Sequence, residues 1–118
     1  MNSAINEKST LFAIRVIKFC RYLVSTKAER LLTNQLLRSG TSIGANVRES
    51  INAASKKDFI NKMTIALKEA NETEYWLELL FKTDTITEQE FSSINSDCKE
   101  LVKLLVSIVK TSKNSIPE

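Results

Sequence analysis

Histidine is absent from this 118-residue chain. With it go the commonest general base, the commonest activator of a nucleophile and the commonest metal ligand. A di-iron site of the helical-bundle type needs Glu-x-x-His pairs and is excluded on the same ground. Only two glycines and one proline occur, too few turn formers for many short strands. The two cysteines, Cys20 and Cys98, sit inside apolar helical patterns and read as small core residues. The alternative, a disulfide or redox pair, is disfavoured in a reducing compartment. Two isolated cysteines without histidine make no zinc site, so no metal is expected. No apolar run approaches the roughly 20 residues of a membrane span, so no membrane partner is expected. The opening residues, MNSAINEKST, are polar without a signal-peptide pattern, and a cytoplasmic protein is expected.

What is present is long helical periodicity. Apolar residues make up 42% and charged residues 26%, the balance of a soluble globular chain rather than a disordered one. The length suits one domain with a single core. The spacing predicts helix 1 over residues 9–24, with one stripe of Leu11, Ile14, Ile17, Cys20 and Val24 and a second of Phe12, Val16, Phe19 and Leu23. A polar connection from Ser25 to Ala28 leads to helix 2, over 29–53. Ser55 and Asp58 form a capping pair for helix 3, over 56–82, whose inner face is Phe59, Met63, Ala66, Ala70, Thr73, Leu77 and Leu80. Thr87-Glu88-Gln89-Glu90 is a capping-box pattern opening helix 4, over 88–111. Its stripe of Phe91, Ile94, Cys98, Leu101, Leu105 and Ile108 is widened by Val102, Leu104, Val106 and Val109.

Four helices with short connections imply an all-α, antiparallel, up-down-up-down four-helix bundle spanning 1–118. Helices 1 and 4 are adjacent in such a bundle and apolar over a wide arc. Excess apolar surface of that kind marks an interface, so a homo-oligomer built through these helices is expected.

Charge is unevenly distributed. Residues 1–48 hold eight Lys/Arg against two Glu, a net of +6, and residues 49–118 hold nine Lys against twelve Asp/Glu, a net of −3. Arg15, Lys18, Arg21, Lys27, Arg30 and Arg48 are the cations of interest in the basic half. They are either a solvated surface or the footprint of a polyanion, of which nucleic acid is the leading candidate. Tyr22, among them, either stacks on a base or packs against protein. The pair Tyr75-Trp76 poses the same alternative, weighted toward packing.

Helix 2 carries an unusual stripe. Gln35, Arg38, Ser42, Asn46 and Glu49 are spaced by three, four, four and three residues, which places them on one face. Arg38 can reach Glu69 or Glu72 on helix 3. The group, with Glu72, is read as a polar network that fixes helix register, with a ligand or RNA contact as the alternative. A catalytic role is not expected. Glu49 and Glu72 form a carboxylate pair at best, with no nucleophile, metal triad or oxyanion donor beside them. Gly40 and Gly44 share another face and leave a strip where a second helix can come close, at about 1 kcal/mol of helix propensity each relative to Ala.

The strings QLLRSGTSIGANVRES and KKDFINKMTIALKEANETEYWLELL resemble the four-helix-bundle family of 23S rRNA intervening-sequence proteins. Its pattern Q-L-x-R-(S/A)-x-x-S-I-x-A-N-x-x-E-(G/S) falls on Gln35, Leu36, Arg38, Ser39, Ser42, Ile43, Ala45, Asn46, Glu49 and Ser50. The second block falls on Lys56, Phe59, Ile60, Ala66, Glu69, Glu72, Tyr75 and Leu77. Ser50 stands where many members have glycine, and Arg48 and Lys68 stand where small residues are frequent. The resemblance implies a left-handed four-helix bundle, commonly a homopentamer with a central channel. It also implies no catalytic activity and no cofactor. A related branch, the accessory proteins of diversity-generating retroelements, binds a reverse transcriptase and nucleic acid. The expected function is therefore a non-enzymatic, oligomeric, RNA-binding or ribosome-associated protein. The alternative is a scaffold for a protein partner such as a reverse transcriptase.

Overall fold

The computed structural model describes residues 3–115. Its helices are α1 (Ser3–Lys27), α2 (Leu31–Ile51), α3 (Lys56–Lys82) and α4 (Glu88–Asn114), with no strand among the described residues. Each helix packs on its neighbours in sequence and α1 closes against α4, giving an antiparallel up-down-up-down bundle. The rod measures 51 × 21 × 21 Å. The α1–α4 seam is the loosest of the four.

Helix α1 extends further than the spacing predicts, at both ends. Ile5 and Ser9 are buried in line with Phe12 and Val16, so core packing carries the helix back toward Ser3. At the other end Ser25 and Thr26 turn their hydroxyls onto the Tyr22 carbonyl, at 3.1 and 2.7 Å, and the helix runs through them to Lys27. Polar residues expected to be a connection thus belong to a helical turn. Ala28, at φ 53°, and Asp84, at φ 59°, end α1 and α3 in the left-handed region. After α3 the amides of Asp84 and Thr85 return to the carbonyls of Phe81 and Leu80, a Schellman closure. Ser55 accepts the Asp58 amide at 3.1 Å, and Thr87 and Glu90 form a complete capping box on α4.

The two glycines serve packing rather than turns. A Cβ on Gly40 would lie 2.9 Å from both methyls of Val16, and one on Gly44 would lie 3.4 Å from the Ser9 carbonyl. Helix α1 therefore crosses α2 along this strip. On the α3 side of α2 the buried hydroxyls of Ser39 and Thr73 meet at 2.9 Å. That pair, inside the core, ties α2 to α3.

The wide apolar arcs are mostly absorbed by the bundle. On α4 only Val106 is an exposed large hydrophobic residue, while Val109 is buried and Val102, Leu104 and Ile108 pack against the core. On α1 Leu11 and Ile14 remain 58% and 45% exposed. The excess apolar surface expected on both helices is concentrated on α1.

Candidate nucleic-acid interface

The structure divides the six sequence-selected cations into two groups. Arg15 is bound to α4, with Nη1 donating to Asp97 Oδ2 at 2.5 Å and Nη2 to Ser93 Oγ at 2.6 Å. Arg48 is bound to α1, donating to Asn6 Oδ1 at 3.0 Å and Thr10 Oγ1 at 3.2 Å. Both lock helix pairs together. Lys18, Arg21, Lys27 and Arg30 are exposed and form no ion pair among the described residues. Lys18 and Arg21 are a turn apart on α1, Lys27 is its last residue and Arg30 precedes α2. The four lie on the C-terminal half of α1 and the turn into α2, with Lys18 and Lys27 on opposite sides of α1.

Carboxylates near that turn are engaged by backbone. Glu29 accepts the Leu32 amide at 2.7 Å and so caps α2 from just outside it. Glu90 accepts the Thr87 amide at 2.8 Å. That bond, joined by the Tyr22 hydroxyl and by the field of Lys27, holds its carboxyl below the usual range. Tyr22 is half-exposed, lies parallel to Phe19 with ring centroids 6.2 Å apart, and has its hydroxyl pushed up by the bond to Glu90. Its hydroxyl is thus committed to the α1–α4 seam.

Between α1 and α2, beside these cations, lies an apolar cleft of about 530 Å³. Cys20 and Thr33 are its buried floor, joined by a thiol-to-carbonyl bond of 3.5 Å. Ile17 and Val24 are half-buried in its walls, and Arg21, Asn34 and Leu37 are exposed at its rim. Neither Asn34 nor Leu37 stands out in the sequence. Their pairing with Ile17 across two helices is a tertiary fact with no local signal.

The polar stripe on α2 lies at the surface, beside α3. Arg38 is half-exposed and bridges two carboxylates of α3, Glu69 at 3.0 Å and Glu72. Glu49 pairs with Lys62 at 3.1 Å, and Gln35 is exposed. The Asn46 amide donates to the Ser42 carbonyl, and the Ser42 hydroxyl to the Arg38 carbonyl, within their own helix. The stripe is therefore two separate α2–α3 ion-pair groups joined by local bonds. Tyr75 and Trp76 touch at 5.1 Å on α3, with Tyr75 exposed. Both cysteines are free and buried. Burial pushes the Cys20 thiol up to about 11 and the Cys98 thiol up to about 12. Among the described residues no group of three His, Cys, Asp or Glu is placed to hold a metal, and no helix is long and apolar enough to cross a membrane.

Residues 1–107 match the 23S rRNA-intervening sequence protein family. The chain belongs to that family. A 1.70 Å crystal structure of a protein with unknown function from the S23 ribosomal protein family, from Bacteroides thetaiotaomicron VPI-5482, is similar to it at 55% identity. That likeness covers 90% of this chain and 98% of the other, with a TM-score of 0.88. No curated protein matches this chain. As a member of the 23S rRNA-intervening sequence protein family, the chain shows what the α2 signature does in three dimensions. Leu36, Ser39, Ile43 and Ser50 are buried, while Arg38 and Glu49 grip α3. The signature specifies the α2–α3 packing, and the unpaired cations lie outside it.

Proposed function

We propose that this protein is a non-enzymatic, cytoplasmic, oligomeric RNA-binding member of its family, associated with ribosomal RNA through the basic end of α1 and α2. The observation that carries this reading is the set Lys18, Arg21, Lys27 and Arg30, each exposed along the C-terminal half of α1 and the turn into α2, without ion pairs among the described residues. Arg15, Arg38 and Arg48, by contrast, are held by side chains of a neighbouring helix. Cations left solvated on a small surface raise the local concentration of a polyanion and release its counterions on contact. Self-association is the second part of the reading. Leu11 and Ile14, side by side on α1, are the apolar pair a second copy would cover, and a homopentamer is the arrangement the family resemblance favours.

The test is RNA affinity against salt for the full chain and for a variant with Lys18, Arg21, Lys27 and Arg30 changed to Glu. The wild type should lose affinity steeply with salt, and the variant should not bind. An Arg15→Gln variant should keep RNA affinity. Unchanged affinity in the fourfold variant would place the contact elsewhere. A protein partner is the second reading, favoured by Leu31, 82% exposed next to Arg30; its complex would tolerate salt.

A further inference from the structure

We propose that the cleft between α1 and α2 seats an unstacked base, so that the RNA recognised at the basic end is single-stranded or looped rather than duplex. This rests on the nucleic-acid reading above and names the form of the nucleic acid. Three observations carry it. The cleft has one of the unpaired cations, Arg21, in its rim, and Arg30 stands one helical turn before its rim residue Asn34. Its volume of about 530 Å³ falls within the roughly 300–1,000 Å³ of small-ligand sites. Its walls are apolar, while the carboxamide of Asn34 at the rim forms no hydrogen bond among the described residues.

The chemistry fits one occupant. A duplex presents phosphates outside and hides its base faces, so it would use the cations and leave Ile17, Val24 and Leu37 solvated. A single strand offers both parts together, phosphates for Arg21 and Arg30 and an apolar base face for the cleft. The Arg21 guanidinium, planar and free of a carboxylate, can lie on the exposed face of that base. The Asn34 amide offers a donor and an acceptor on one side chain, the complement of a Watson–Crick edge. A cluster of surface cations over polar ground would read neither.

The experiment compares a mixed-sequence single-stranded RNA with the same sequence as a duplex, by fluorescence anisotropy across a salt series. The wild type should prefer the single strand by about tenfold or more, the scale of one stacked base. Leu37→Gln and Asn34→Ala, both at exposed positions, should erase that preference and leave the salt slope unchanged. Arg21→Gln should weaken both RNAs and reduce the slope. Equal affinity for the two RNAs, with no effect of Leu37→Gln or Asn34→Ala, overturns the cleft proposal while the fourfold cation variant still tests the broader reading. Binding to neither RNA overturns both. A cleft that instead takes an apolar side chain of a protein would show as a salt-tolerant complex lost in Leu37→Gln, with no preference between the RNAs, and also overturns it.

Discussion

Gly40 and Gly44 stand one turn apart on the same strip of α2, yet a methyl group meets different neighbours at each. At Gly40 it would collide with both branches of Val16, a buried β-branched side chain with little rotamer freedom. At Gly44 it would reach ordinary contact with Ser9. Replacing a helical glycine with alanine gains about 1 kcal/mol of propensity, and overpacking costs about 1–3 kcal/mol. Gly44→Ala should therefore be neutral or stabilising by up to about 1 kcal/mol, and Gly40→Ala should be destabilising by up to about 2 kcal/mol. Urea denaturation of the two variants gives the order, and the opposite order would show that α1 does not cross at Gly40. Arg38 marks a change of magnitude between sequence and structure. A buried guanidinium would cost several kcal/mol to truncate; a half-exposed one bridging two carboxylates should cost about 1 kcal/mol or less in Arg38→Ala. The Cys98 thiol, fully buried and pushed up to about 12 by that burial, should react with a disulfide reagent at neutral pH only as fast as the bundle opens.

At the scale of the element, the N-terminus of α4 is the most fully specified feature and the one with a pH signature. Thr87→Ala removes an acceptor for the Glu90 amide and should cost about 1 kcal/mol. The Glu90 carboxyl is held below its ordinary value of 4.5, chiefly by the Thr87 amide. A lowered folded value stabilises the fold above the ordinary value and loses that contribution as pH falls through the lowered one. Stability should thus drop below about pH 4.5, and Glu90→Gln, which keeps an oxygen for the Thr87 amide, should flatten part of that drop. The effect is small because the side chain is largely in water; a drop of the same size in both proteins would remove Glu90 from the account. This cap was legible because its chemistry is local: two side chains, three residues apart, before an apolar period. Helix order and the α3 bounds were legible for the same reason. The ends of α1 were not, since Ile5 joins the helix through burial, and Ser25 and Thr26 join it by bonding back to Tyr22. Nor could sequence separate Arg15 and Arg48 from the other cations. What distinguishes them is Asp97, 82 residues away, and Asn6, 42 residues away. The cleft between α1 and α2 was invisible on the same ground, being made of residues whose periods belong to two helices.

At the scale of the whole molecule, the α1–α2 end of one protomer offers four exposed cations without ion pairs among the described residues, a small charge for a polyanion partner. Each neutralised phosphate on a single strand contributes about 0.7 to the salt slope, so a lone protomer binding through the four cations of this end should show a slope of about 3. A closed ring repeats the same end and multiplies the contacts available to one RNA, raising avidity without any new kind of contact. Leu11 and Ile14 supply the handle to separate the two quantities. Both are exposed on α1, so Leu11→Glu with Ile14→Glu should leave the bundle folded while making it unfavourable to bury against another copy. Light scattering should show the wild type as an oligomer and the double variant as a monomer of 13.3 kDa. The monomer should then bind RNA about tenfold or more weakly, as expected when linked sites are separated, and its salt slope should fall toward the single-protomer value. An oligomer that survives both changes would remove this face of α1 from the interface. A monomer that binds RNA with undiminished affinity and slope would show that one basic end suffices, and that assembly serves something other than RNA binding.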